Sequence, residues 1–289
     1  MANLKEIRNR ISSVNSTMQI TSAMKMVSAS KLKRAQQAIE KMRPFSEKLS
    51  AIIQNVSSGD SEGEYANVSE NKKVLIVAIT SNRGLCGAFN ANVAKKINQI
   101  IKSDYSEADV TVYGVGKKGA ETFKNNFLGE RNLLPENASD IFDDLTFENS
   151  VKYSSEFMKL YVEGTFDKVV LVYNSFKNAA VQILKNEQFL PIEQNEGEIS
   201  DSNINYIFEP SESEILEDII PQSLQVQFFK ALLDSAASEH GARMTAMHKA
   251  TDNAEDILGD LKLTYNKLRQ ASITNEILEI VGGAEALNG

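Results

Sequence analysis

The chain has 289 residues and 31.9 kDa, 42% of them hydrophobic and 24% charged, with no tryptophan and a formal net charge of −8. That length accommodates one or two units with a core, and its longest apolar run, residues 74–79, falls far short of the roughly 20 residues a membrane-spanning helix needs. Any membrane association is therefore expected to come through a partner, and the single cysteine, Cys86, excludes an intrachain disulfide and fits a reducing compartment.

The first 56 residues form one heptad series. Alternate steps of three and four from Leu4 visit Ile7, Ile11, Val14, Met18, Thr21, Lys25, Ser28, Leu32, Ala35, Ile39, Met42, Ser46, Leu49, Ile53 and Val56, and twelve of the sixteen positions are apolar. Two apolar positions in seven make a narrow seam, so the spacing predicts a helix of about 80 Å that needs a long partner. Pro44 lies inside it, and a kink or restart is expected at residues 43–45. Residues 1–48 carry ten Lys or Arg against three Glu, a net +7, leaving −15 on the rest. No aromatic side chain interleaves with those cations before Phe45, so an acidic protein surface is the better expectation than nucleic acid. A solvated coiled-coil flank would carry such charge as well. Lys5, Glu6, Arg8 and Arg10 leave no room for the apolar segment of a secretory signal, and the register beginning at Leu4 leaves nothing for a transit peptide to occupy.

Residues 57–72 are polar and rich in Gly and Ser, reading as a flexible link. Beyond them the period changes. Residues 73–80 (KVLIVAIT), 110–115, 169–173 and 181–184 read as strands, 206–208 as a short edge strand, and 89–102, 120–127 and 147–164 as helices. Strands alternating with helices predict a central Rossmann-like α/β domain over 73–209 with a mostly parallel sheet. The acidic stretch 193–205 reads as an exposed loop, Ser211 and Glu214 as a capping box, and Pro221 as ending that turn or opening the last helix.

The last segment repeats the first pattern. The same steps from Val226 reach Phe229, Leu233, Ala236, His240, Arg243, Met247, Ala250, Ala254, Ile257, Leu261, Thr264, Leu268, Ala271, Asn275 and Leu278, again twelve apolar of sixteen. Two such segments, 1–56 and 211–287, are expected to meet as a long antiparallel coiled coil projecting from the α/β domain. Two separate amphipathic helices packed on a globular body would be the alternative. Gly241 and Gly259, unfavourable in helices, mark either close backbone approach or a tolerant solvent-facing turn.

The motifs that suggest chemistry are few. Gly114, Gly116 and Gly119 form a literal GxGxxG between a strand and a helix, but residues 73–80 precede that unit and a dinucleotide fingerprint belongs to the first, so a tight structural turn is the stronger reading. Asp140 and Asp143 are the acidic residues that a ribose contact would require. No phosphate-binding GxxxxGK[ST] loop occurs, His240 and His248 lack zinc-ligand spacing, and Cys86 has no histidine in the same domain to activate it. Nothing assembles an acid, a base and a nucleophile.

Three segments carry a resemblance. Residues 20–32 (ITSAMKMVSASKL), Asn82-Arg83-Gly84-Leu85-Cys86-Gly87, and residues 250–254 (ATDNA) followed by 269–276 (RQASITNE) resemble, in order along the whole chain, the gamma subunit of F-type ATP synthases. Asn82 stands where that family more often has Asp, Gly241 where Ala is usual, and His248 where Lys is common. The resemblance implies a central rotor shaft: an antiparallel coiled coil inside an alpha3-beta3 hexamer, and an α/β foot on the membrane c-ring beside the epsilon subunit. It implies one copy per complex, catalysis on the beta subunits, and no catalytic site, metal or cofactor on this chain. Carried over by position, beta-subunit contacts fall on Met24, Lys25, Arg269, Gln270 and Thr274, and the contact with c-ring and epsilon on Tyr206, Phe208 and Glu209. The regulatory cysteine pair of chloroplast members is absent, and the lack of a presequence implies a bacterial protein at the cytoplasmic face of the inner membrane.

Overall fold

The computed structural model describes residues 4–56, 65, 72–124, 138–192 and 212–288. The first helix, α1, runs Leu4–Val56, and the last, α5, runs Glu212–Asn288. Between them lie β1 (Lys73–Ile79), α2 (Phe89–Ser103), β2 (Asp109–Val115), α3 (Lys117–Phe123), α4 (Phe147–Val162), β3 (Lys168–Phe176) and β4 (Gln182–Leu190). The chain divides into two compact units, Met1–Ser28 with Met244–Gly289, and Ala29–Arg243.

The heptad seam of α1 is realised along its length: every predicted position from Leu4 to Leu49 is buried or half-buried, including Thr21, Ser28 and Ser46. In the first unit the two helices run antiparallel. Arg8 donates to the Tyr265 hydroxyl at 2.9 Å, Thr251 to the Thr21 hydroxyl at 2.9 Å, and Lys25 Nζ lies 3.5 Å from His248 Nδ1. Advancing seventeen residues along α1, from Arg8 to Lys25, thus moves seventeen residues back along α5, from Tyr265 to His248. Thr21 in turn donates to the Met18 carbonyl, so the two hydroxyls and that carbonyl form a continuous chain.

The phase of α5 differs from the sequence reading. The inward positions are Met247, Thr251, Ala254, Leu258, Leu261, Tyr265, Leu268 and Ser272, whereas Ile257 is 50% exposed and Thr264 and Ala271 are exposed. A turn of 3.6 residues lets a stripe return after three or four, and both series share Met247, Ala254, Leu261 and Leu268. The alternate positions go to Leu258 in place of its isomer Ile257 and to Tyr265 in place of the smaller Thr264. Asn275 and Leu278, also expected on the seam, are exposed. The register that pairs Arg8 with Tyr265 sets Leu4, the first described residue of α1, level with the turn at Leu268.

Neither proline interrupts its helix: Pro44 lies within α1 and Pro221 within α5. Proline leaves the carbonyl four residues earlier without its donor, and here those carbonyls belong to Glu40 and Glu217, both exposed residues at which solvent can supply the missing donor. The expected restart at 43–45 and the expected boundary at Pro221 are corrected accordingly. The capping residue Ser211 and the stretches 193–205 and 206–208 fall outside the described residues.

The second unit holds a four-stranded sheet in the order β2-β1-β3-β4, with β1 parallel to β2 and β3, and β4 antiparallel to β3. Central β1 is covered on both faces, so its six residues Val74 to Ile79 are all fully buried, as a continuous apolar run requires. Leu75, Val77 and Ile79 share one core with Phe157 of α4 and Phe228 of α5; Val74, Ile76 and Ala78 share the other with Val93, Ile97 and Ile100 of α2. Phe228 meets Phe157 edge-on at 5.5 Å, anchoring α5 to the sheet. α3 begins three residues earlier than the sequence reading, and β4 extends to Leu190, its polar alternation being that of an edge strand.

Candidate functional site

The glycine loop after β2 is filled by the protein itself. Thr80 Oγ1 accepts from the Gly119 amide at 2.7 Å and donates to the Val115 carbonyl at 3.1 Å. A Cβ at Gly119 would lie 2.7 Å from that same oxygen, and one at Gly114 only 2.4 Å from the Ala120 nitrogen. Gly116 adopts φ 100° against the Thr80 carbonyl. The glycines let a threonine plug the loop, which occupies the amide that a phosphate would use. Asp140 is hydrogen-bonded by the Tyr153 hydroxyl.

The segment after β1 is held in the same fashion. Asn82 Nδ2 donates to the Ser139 carbonyl at 2.7 Å while its Oδ1 accepts from the Lys117 amide at 3.1 Å, a bridge that an ionised Asp could complete only on its acceptor side. Cys86 is 2% exposed, with its sulfur 3.4 Å from Asn90 Nδ2, and serves as a small packing residue. Among the described residues no group of His, Cys, Asp and Glu is arranged to hold a metal ion, and no helix is long and apolar enough to cross a membrane.

One polar cluster was not foreseen. Arg243 of α5, 8% exposed, pairs with Glu239 at 2.6 Å and donates to the carbonyls of Arg83 at 2.7 Å and Gly84 at 3.2 Å. Its neighbour Gly241 packs so close that a Cβ would sit 3.2 Å from the Ala179 Cα, so of the two glycines it is the one that permits close approach, while Gly259 faces open space. Burial pushes the Glu239 carboxyl above its usual range despite the opposing pull of Arg243. Burial, then the charges of Arg243 and Lys31, push His240 down to about 4, leaving it neutral near pH 7.

The residues that the resemblance assigns to beta-subunit contact are distributed unevenly. Met24 and Lys25 are half-buried, with Lys25 turned toward His248, while Arg269, Gln270 and Thr274 are exposed on α5. Thr274 gives its hydroxyl proton to the Gln270 carbonyl at 3.0 Å. Tyr206, Phe208 and Glu209 lie outside the described residues. The apolar residues left facing outward are more prominent: Ile20, Met26 and Val27 on α1, each more than half exposed, and Ile273, Ile277, Leu278, Ile280 and Val281 on α5. Ile20, Met26 and Val27 lie off the heptad seam and are still apolar, which is the signal that sequence reading had available and did not use.

The described residues thus present a paired helical rod, an α/β body whose glycine loop is plugged by Thr80, and an outward apolar surface suited to contact with other proteins. The family model described as ATP synthase matches residues 3–287. The ATP synthase gamma chains of Christiangramia forsetii and Flavobacterium johnsoniae are each 58% identical to it, and that of Cytophaga hutchinsonii 52%, with both chains fully covered in every case. The fold is similar to that of a chain in the rotor of Euglena gracilis mitochondrial ATP synthase (19% identity, TM-score 0.67, covering 93% of this chain and 98% of that one). It is also similar to a chain in the central stalk and c-ring assembly of the Tetrahymena thermophila enzyme (24%, TM-score 0.56, 80% and 99%). The chain belongs to the ATP synthase gamma-chain family.

Proposed function

We propose that this chain is the central rotor shaft of an F-type ATP synthase, carrying torque between ion flow through a membrane c-ring and ATP synthesis or hydrolysis on beta subunits. The observation that carries the reading is the full-length 58% identity to gamma chains, on a chain whose two terminal helices pair in antiparallel register. In this reading segments 1–56 and 211–287 form the shaft within an alpha3-beta3 hexamer, and domain 73–209 is the foot beside epsilon and the c-ring. Met24, Lys25, Arg269, Gln270 and Thr274 meet beta subunits; Tyr206, Phe208 and Glu209 meet the foot's partners. One copy serves each complex, at the cytoplasmic face of a bacterial inner membrane.

The physical requirement is an asymmetric shaft. A rotor biases three chemically identical sites only through differences in contact energy between its faces. The first unit supplies such a difference. α5 exposes Asp252, Glu255, Asp256 and Asp260, while α1 residues 12–21, at the same level, contain no charged side chain. Toward its start α1 exposes Lys5, Arg8 and Arg10. Each orientation therefore offers a given beta subunit a different field, strongest at low ionic strength.

The test is a complex purified through a tag on this chain, fixed by its hexamer, with a probe on the foot. ATP should drive unidirectional rotation of the probe; an active complex in which this chain stays still is a static tether and overturns the proposal.

A further inference from the structure

Within the second unit a cavity of about 210 Å³ opens between α1, β3, β4 and α5. Its inner wall includes Ile39 and Leu233, both buried. Three cations line it, each from a different element: Arg43 of α1, Lys185 of β4 and Lys230 of α5. None makes an ion pair within 4 Å among the described residues. Among the described lining residues one carboxylate faces them, Asp234, which is 7% exposed and accepts a hydrogen bond from Ser175 at 3.0 Å. Ser46, 8% exposed, adds a hydroxyl.

The charge does not balance. Among the described lining residues a single carboxylate stands against three cations, around a concavity with an apolar back. Lys230 is half-buried, while Arg43 and Lys185 are exposed at the rim, so the three give the hollow a positive potential that an anion would relieve. The volume decides the size of that anion. Sites for drug-sized molecules occupy roughly 300–1,000 Å³, so this smaller hollow suits a small oxyanion better than a larger ligand. Burial raises the Asp234 carboxyl's pKa, and after the Ser175 hydrogen bond the opposing influences are Lys230, Lys185 and Arg43, which places all three within electrostatic reach of one point.

We infer that this cavity is a binding site for inorganic phosphate, held by Arg43, Lys185 and Lys230 with the Ser46 hydroxyl as a further donor. The Asp234 carboxylate is the site's antagonist: it fixes the pocket's wall through Ser175 and weakens the anion by repulsion.

That opposition gives a test that misfolding cannot imitate. Full-length chain is titrated with inorganic phosphate by calorimetry at about 0.1 M ionic strength. One saturable site per chain is expected. Arg43→Gln with Lys230→Gln should weaken it about tenfold or more, Lys185→Gln alone should weaken it less, and Asp234→Asn should tighten it several-fold. The control double change Lys95→Gln with Lys159→Gln, which removes the same charge from exposed helix positions, should leave it unchanged. Absence of saturable binding at millimolar phosphate, equal weakening by the control, or no tightening in Asp234→Asn overturns the site. If instead the cavity variants bind no less phosphate but fail to join the other subunits, the cations serve an acidic side chain of a partner, and the phosphate assignment is wrong.

Discussion

Arg243 reaches back 160 residues to donate a 2.7 Å hydrogen bond to the Arg83 carbonyl, while its other edge holds Glu239 at 2.6 Å. The last residue of the second unit therefore fastens α5 to the segment following β1. Removing one partner from a buried pair leaves the other charge unsatisfied, at a cost of about 3–5 kcal/mol, and two loop carbonyls lose their donor as well. Arg243→Leu is expected to lower the unfolding free energy of the chain by about that amount in urea titration. Double replacement with Glu239→Leu should recover part of it. A single variant within about 0.5 kcal/mol of wild type would show that the clamp carries no stability.

His240 gives the same region a defined response to acid. Its folded pKa of about 4 lies below the ordinary value of 6.5, so between those limits the unfolded chain binds the extra proton. Stability is full above pH 6.5 and falls as pH drops toward 4. At pH 5 the loss attributable to this group is about 2 kcal/mol. Asp234 and Glu239, whose pKa values are raised by burial, act in the opposite sense, because the folded chain takes up their protons first. The measurable quantity is therefore a difference: His240→Asn should lose less stability than wild type between pH 7 and pH 5. Parallel pH profiles for the two proteins would contradict the assignment.

The phase of the rod is open to direct measurement. Leu258 is 8% exposed and Ile257 50% exposed, although either fits the apolar pattern. Leu258→Ala should cost about 2–3 kcal/mol as a buried truncation, and Ile257→Ala less than about 1 kcal/mol. Reversed costs would restore the phase that simple three-four stepping predicts.

That ambiguity marks where the sequence stopped being legible. Along α1 a single stripe fits, because residues beside the seam are mostly polar or charged, and burial follows it from Leu4 to Leu49. Along α5 the neighbours Ala250 and Thr251, Ile257 and Leu258, and Thr264 and Tyr265 can each take the inward place, and the packing opposite α1 selects between them. The continuous burial of residues 231–239 was hidden for a different reason: Asp234, Ser235, Ser238 and Glu239 recur at helical spacing as a polar face that looks solvated and is buried all the same. β1 was plain, since a fully apolar six-residue run has few other fates. The role of Thr80 in the glycine loop was out of reach, because what fills a Gly-rich turn is decided by a residue on another strand. The Arg243 cluster was concealed by the heptad itself, which counted a buried arginine as a polar lapse in a seam.

The charge on the exposed end of α5 supplies the last prediction. Arg269 and Gln270 are exposed, and the Ala271 beside them is exposed too, so truncating both removes no seam packing from the rod. Thr274 already spends its proton on the Gln270 carbonyl, so of these three residues Arg269 and Gln270 are the ones with side-chain donors left for a partner. Hydrogen bonds from a charged donor contribute roughly 1.5–3 kcal/mol each, enough to alter a rate by an order of magnitude when they form in only some rotor orientations. Arg269→Ala with Gln270→Ala is therefore expected to leave the unfolding of the isolated chain within about 0.5 kcal/mol of wild type and to lower steady-state ATP hydrolysis by the assembled complex at least several-fold. Thr274→Ala alone should do much less, since its donor is spent within the helix. A double variant that assembles normally and turns over at the wild-type rate would remove these two residues from the coupling contact.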